Sequence, residues 1–282
     1  MCSRFVSVIS NSTIEIIDCL SPGDLQTGLS TYYHLRGLTP ENVPRIRRHQ
    51  VNSATEFWKC LDDIEGQCLE GWKPIIQVEA HADKNGVEIS GQEGGKPSIV
   101  PWPPLVDRFR SINIASQFNL GVFMATCEGV EALRPMTIKK AAPYMFLVGP
   151  KEKVSAQLLK DSAEKFYDVL IRTPDINRAF GSLPKEFLSF LAERFFATTY
   201  ARVLRAQSFG RKRKDRVNFL VNMVIPENAE PEKLREVREM ARLFSRPDRE
   251  RFEAVQRNYL PQGVSFTFDE LVEFARTGAI PE

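Results

Sequence analysis

Residues 121–129, GVFMATCEG, run from an unbroken apolar stretch into a cysteine, an acid and a glycine. A short apolar run closed by small and turn-forming residues reads as a buried strand. This one ends on a thiol, Cys127, and the chain turns at once. Two readings stand for that thiol. Free cysteines often serve as small core hydrophobes, and a strand end is also a rigid perch for a nucleophile.

Outward from this strand, KPIIQVEAH (73–81) is a second apolar strand, and it ends on His81. Further strands are expected at 4–9 and 13–19, as an edge hairpin or two short strands, and at 45–51 and 144–148, with a hairpin arm at 87–89. Helices are expected at 25–35 with Gly37 as stop, 54–70 with Ser53 as N-cap, 105–115 and 154–172. Residues 91–104, rich in Gly and Pro, read as a loop. Strands alternating with helices at this spacing imply an α/β fold, a mostly parallel sheet flanked by helices on both faces.

Beyond about Thr173 the character changes. Phe187, Leu188, Leu191, Phe195, Tyr200, Val203 and Leu204 recur at helical spacing over 185–206. Helices are also expected at 214–224, 231–244, 248–258 and 268–276. The expectation is a sheet domain over 1–180 and a helical C-terminal region over 181–282, with the aromatic face of 185–206 packed onto the sheet.

The chain has 282 residues, 43% of them hydrophobic and 26% charged, enough to bury a substantial core. Its net charge of +2 makes no case for nucleic acid or membrane as partner. The one dense basic run is GRKRKDR (210–216), either a solvated helix face or turn, or a contact for an acidic partner surface or nucleic acid. Five scattered cysteines without a CxxC pair fit a reducing cytoplasm better than a disulfide framework. No apolar run is long enough for a membrane span, and the N-terminus carries no signal-peptide pattern, so a cytoplasmic location is expected. Three separated histidines give no metal-ligand spacing. No Gly-rich phosphate loop follows the early strands, and no cofactor is expected.

In an open parallel sheet, functional groups gather at the carboxyl ends of strands, where the loops form a crevice. His81 and Cys127 both sit at such ends, and if their two strands are neighbours the side chains open onto the same edge of the sheet. An imidazole there can take the thiol proton and later deliver it to a leaving amine. Each residue alone is weak evidence; their shared position favours the functional reading.

These residues carry a resemblance. IIQVEAHADKNGVEIS (75–90) resembles the histidine segment of caspase-like, clan CD, cysteine peptidases: a strand ending in His, a small residue and a short hairpin. NLGVFMATCEG (119–129) resembles their cysteine segment. His81 and Cys127 lie 46 residues apart, against roughly 50 in caspases. SINIASQFNL (111–120) and APYMFLVGP (142–150) are similar to the connecting segments of the CHAT-type bacterial branch. The resemblance covers 75–180 well, the first 70 residues in layout, and the last hundred not at all.

It implies a caspase-like fold and a cysteine endopeptidase with His81 as base and Cys127 as nucleophile. The backbone N–H groups of Ala82 and Cys127 would form the oxyanion hole. The family usually has Gly where Ala82 stands; alanine still supplies the N–H, and a need for φ > 0 would strain it. Gly129 would give the turn after the thiol its flexibility. Asp83, Glu88, Glu128 and Glu131 fall near the expected crevice, either favouring a basic P1 side chain or standing as solvated acids. Trp102 either walls a pocket or covers the sheet edge. The resemblance further implies a protein substrate, control by a partner or a processing event, and a setting in defence against phage or regulated cell death. The other reading is a catalytically inactive scaffold of the same fold that binds a protein partner through its helical tail; Ala82 and the long appendage motivate it. Glutamine amidotransferase-type hydrolases place Cys before His, and no histidine follows Cys127.

Overall fold

The structure, a computed structural model, describes residues 10–38, 44–90, 97–173, 175–225 and 230–278. The strand expected at 4–9, and residues 91–96 of the expected loop, lie outside them. The described residues form two compact units that divide between Ala192 and Glu193.

The first unit is built on a six-stranded sheet in the order β2-β1-β3-β7-β8-β9. Its strands are β1 (Thr13–Asp18), β2 (Arg45–Gln50), β3 (Pro74–Glu79), β7 (Gly121–Ala125), β8 (Phe146–Pro150) and β9 (Phe187–Leu191). All neighbours are parallel except β8 and β9. β1, β3, β7 and β8 are buried along their whole length, as parallel strands covered on both faces must be. Helices α1 (Thr27–Arg36) and α4 (Ala156–Arg172) pack together; α2 (Ala54–Leu69) and α3 (Trp102–Ala115) pack together. Right-handed crossovers between the parallel strands place α1, α2 and α3. The step from β1 out to β2 reverses at β3, so α2 and α3 cover the face opposite α1. The Ser53 hydroxyl caps α2 by accepting from the Glu56 N–H. Under α4, Phe123, Phe146, Phe166 and Tyr167 form an aromatic layer with Phe180 of α5 (Ile176–Gly181) and Phe187 of β9.

β2, at the sheet edge, reads RIRRHQ because its neighbour buries acids. Glu15 and Asp18 of β1 are at most 1% exposed. Arg47 grips Glu15 with two nitrogens, His49 meets it at 2.8 Å, and Arg48 donates twice to Asp18 at 2.7 and 2.9 Å. Burial raises the Glu15 pKa, but its hydrogen bonds from His49 and Arg47 outweigh burial and leave it below the usual carboxyl value.

A smaller antiparallel sheet, β4 (His81–Asp83), β5 (Gly86–Ile89) and β6 (Ser98–Pro101), follows β3 directly. β6 falls in the stretch read as loop. Its two-residue apolar core, Ile99-Val100, is too short to show a period, and it becomes a strand by pairing Val100 with Val87. β9 likewise falls where a helix was expected. Phe187, Leu188 and Leu191 fit a helical stripe, yet four apolar residues in so short a run are ambiguous. Pairing with β8 decides the matter, and the helix starts only at Ala192.

The second unit contains α6 (Ala192–Gln207), α7 (Gly210–Val224), α8 (Pro231–Phe244), α9 (Arg249–Tyr259) and α10 (Phe268–Thr277). Within this unit Phe196 of α6 stacks on Tyr259 and meets Phe252 and Phe266. Buried Glu193 accepts from the Ser265 N–H at 2.7 Å. A capping box between Thr267 and Glu270 starts α10, and Arg205 donates to the Phe274 and Ala275 carbonyls near its end. Val217, Val221, Ile225, Val237 and Ala241 form a separate small core between α7 and α8. No helix of the described residues is long and apolar enough to cross a membrane.

Candidate active site

The strand order reverses between β1 and β3, and such a switch point opens a crevice at the carboxyl ends. β3 pairs with β1 on one side and β7 on the other, and Glu79 lies level with both Asp18 and Ala125. His81 stands two residues beyond Glu79, and Cys127 two residues beyond Ala125. The two candidate residues therefore leave adjacent parallel strands at the same height. Both line a cavity of about 120 Å³, together with Asp24, Thr27, Glu79 and Val154.

Each has a defined partner. His81, whose side chain is 55% exposed, sets Nε2 3.2 Å from Oδ1 of Asp24. The other Asp24 oxygen accepts from the Ser21 N–H at 2.9 Å, and Gln26 ties the same loop by donating to the Ser21 and Asp24 carbonyls. The Cys127 thiol, half-buried, donates to the Val154 carbonyl at 3.9 Å. No hydrogen bond joins His81 to Cys127 among the described residues.

The backbone around them is built for close approach. After β7 the chain turns on Glu128, which is left-handed at φ 54° and ψ 26°, a conformation that costs a residue with a Cβ about 1 kcal/mol or more. Gly129, expected to supply that freedom, is not left-handed. It is small for another reason: a Cβ there would sit 2.6 Å from Cβ of Met124, so only glycine lets the turn fold back on β7. Ala82 lies in β4 with no positive φ, so alanine is unstrained where the resemblance leads one to expect glycine. The two-residue turn Lys84-Asn85 makes Asp83 and Gly86 a hydrogen-bonded pair. By alternation the Ala82–Val87 pair is non-bonded, and the Ala82 N–H points away from β5. The Cys127 N–H has no hydrogen-bond partner among the described residues.

The expected pocket acids lie elsewhere than on this cavity. Asp83 is exposed, and its carboxylate accepts from the Asn85 and Gly86 N–H groups, holding the hairpin turn. The Asn85 N–H above all keeps its pKa below the usual value. Glu88 faces His81 across the β4–β5 ladder, Glu128 forms the turn, and Glu131 pairs with Arg134. Trp102 is buried, and its Nε1 donates to the Asp83 carbonyl at 2.8 Å, clamping the hairpin that carries His81.

The carboxyls that do line the cavity are Asp24 and Glu79. Asp24 sits in Ser-Pro-Gly-Asp, which reads as a simple turn; its signal was an acid in the loop after the first strand. Glu79 is 1% exposed and accepts from the Thr27 hydroxyl at 2.6 Å and from the Gln77 amide. Burial pushes its carboxyl up to about 7, assisted by nearby Asp18 and opposed by the hydrogen bonds from Thr27 and Gln77 and by Arg48. Helix α1 comes so close that a Cβ on Gly28 would lie 2.9 Å from both the Asp18 and Glu79 side chains. Among the described residues, no three His, Cys, Asp or Glu side chains gather as a metal site.

No protein-family model matches the chain, and no curated protein sequence matches it. Among solved structures, it is similar to that of a secreted C11 cysteine protease from Bacteroides thetaiotaomicron, held in complex with an irreversible peptide inhibitor. The two are 8% identical with a TM-score of 0.41, over 71% of this chain and 72% of that one.

Proposed function

We propose that this chain is a cysteine peptidase of the caspase-like clan, with Cys127 as nucleophile, His81 as general base and acid, and Asp24 as the residue that positions His81. One observation carries the reading: His81 and Cys127 stand at equal height past adjacent parallel strands and line one cavity. With Nε2 held by Asp24, Nδ1 is the imidazole nitrogen left for the thiol. His81 takes the Sγ proton, and the thiolate attacks the scissile carbonyl carbon. The oxygen gains its negative charge against the N–H groups of Ala82 and Cys127. The imidazolium then protonates the departing amine, leaving a thioester on Cys127. A water, deprotonated by His81, releases the acid and regenerates the thiol.

The substrate on this reading is a protein segment, and the enzyme rests until a partner or a cleavage triggers it. In the resting arrangement the thiol's hydrogen-bond partner is the Val154 carbonyl, 3.9 Å from Sγ, and on this reading its proton passes to His81 before attack. The CHAT-type branch and a place in phage defence are part of the same proposal, on the strength of the sequence resemblance. The test is cleavage of a peptide library by the wild-type chain and by Cys127→Ala. Cleavage by the wild type alone is expected; equal cleavage by both removes the proposal.

The missing His81–Cys127 hydrogen bond favours a second reading, a scaffold of the same fold that works through its partner. Full cellular function in both His81→Ala and Cys127→Ala would select it.

A further inference from the structure

In the second unit, α7 and α8 border an open cavity of about 610 Å³. Arg213 and Lys214 of α7 and Arg238 and Arg242 of α8 line it, with Phe209 and Asn218. No carboxylate is among the lining residues, and none of the four cations joins an ion pair among the described residues. Arg238 and Arg242 are one helical turn apart and share a face. Arg213 reaches across and donates from Nη2 to the Arg242 carbonyl at 3.2 Å, which fixes the two helices at the cavity.

Four cations without ion-pair partners among the described residues border one hollow, and a multiply charged anion seated there would meet all four. The first turn of α7 adds to the field, since it has no acidic residue and no side-chain cap. The volume falls in the range that holds a small organic ligand and exceeds what one phosphate fills. Several negative groups in a row match cations contributed by two helices. The basic run at 210–216, which the peptidase chemistry leaves unused, supplies half of the lining cations.

We propose that this cavity binds a small soluble ligand bearing a chain of phosphates, with Arg213, Lys214, Arg238 and Arg242 holding the phosphate oxygens. Phosphate chains come free, on a nucleoside, or as a nucleic-acid backbone; the proposal is for the small ligand. The site lies within the second unit and stands independently of the peptidase reading.

The experiment is titration calorimetry on the full chain with tripolyphosphate, with ATP, and with a single-stranded oligonucleotide. Variants are the double Arg238→Gln/Arg242→Gln, the single Lys214→Gln, and Lys233→Gln as a control on the exposed start of α8. Saturable one-to-one binding of tripolyphosphate or ATP is expected. The double variant should weaken it about tenfold or more, Lys214→Gln should weaken it less, and Lys233→Gln should leave it unchanged. Because the three substituted lining residues are exposed, the variants should keep the wild-type circular dichroism. No saturable binding, binding of the oligonucleotide alone, or equal affinity in a folded double variant would overturn the proposal.

Discussion

Glu79→Gln isolates the electrostatics beneath the candidate site. In the folded chain the Glu79 carboxyl holds its proton up to about pH 7; its ordinary value is 4.5. Between those values the folded state binds a proton that the unfolded state releases. Stability from this group is therefore fully present below about pH 4.5 and is lost as pH rises through about 7. A gap of roughly 2.5 pH units corresponds to about 3 kcal/mol. Glutamine keeps the size and accepts from Thr27. If Gln77, whose amide now donates to Glu79, turns that amide over, its side-chain oxygen, which has no hydrogen-bond partner among the described residues, can accept from the new amide. The variant should thus be the more stable protein at pH 8 relative to its own value at pH 5, by about 3 kcal/mol compared with wild type. Urea melts followed by tryptophan fluorescence suit the question, since Trp58, Trp72 and Trp102 all belong to the first unit. The difference between the two proteins cancels what the rest of the chain contributes to the pH dependence. Parallel pH profiles for wild type and variant would refute the reasoning.

Two further perturbations follow from the same sheet. Arg48→Met leaves the Asp18 carboxylate buried without its partner and should cost about 3–5 kcal/mol in the same melts; a loss below about 1 kcal/mol would mean that water reaches Asp18. At the turn after the thiol, Glu128→Gly should match or exceed wild-type stability, while Glu128→Val should lose more than about 1 kcal/mol, because a β-branched residue resists the left-handed conformation. Equal melting of the Gly and Val variants would contradict that backbone assignment.

Much of the sheet was legible because its central strands are buried on both faces and read as unbroken apolar runs. Ile75-Ile76 and Val122-Phe123 announce β3 and β7 wherever they lie. β6 and β9 were not legible, since a few apolar residues become strand only when a neighbour offers an edge. The exchange of acids and bases between β1 and β2 was equally hidden, as it depends on which strands become neighbours. His81 and Cys127 could be singled out because each ends an apolar run. Asp24 could not: its bond to His81 is made between residues 57 apart, by a loop that composition marks only as a turn. The turn at Glu128 inverts the usual rule, with the acid taking the left-handed conformation and the glycine yielding space.

The central claim is that Cys127 is an activated nucleophile served by His81. Its most direct test is the rate of iodoacetamide alkylation of each cysteine across pH, read by mass spectrometry in wild type, His81→Ala and Asp24→Asn. Cys19, Cys60 and Cys68 serve as internal controls: burial pushes the Cys60 and Cys68 thiols up to about 12 and Cys19 well above its usual value. The account predicts fast labelling of Cys127 below pH 7 that slows by about tenfold or more without His81, and by a smaller factor in Asp24→Asn. Labelling of Cys127 with the pH dependence of an ordinary thiol, unchanged in His81→Ala, would contradict it.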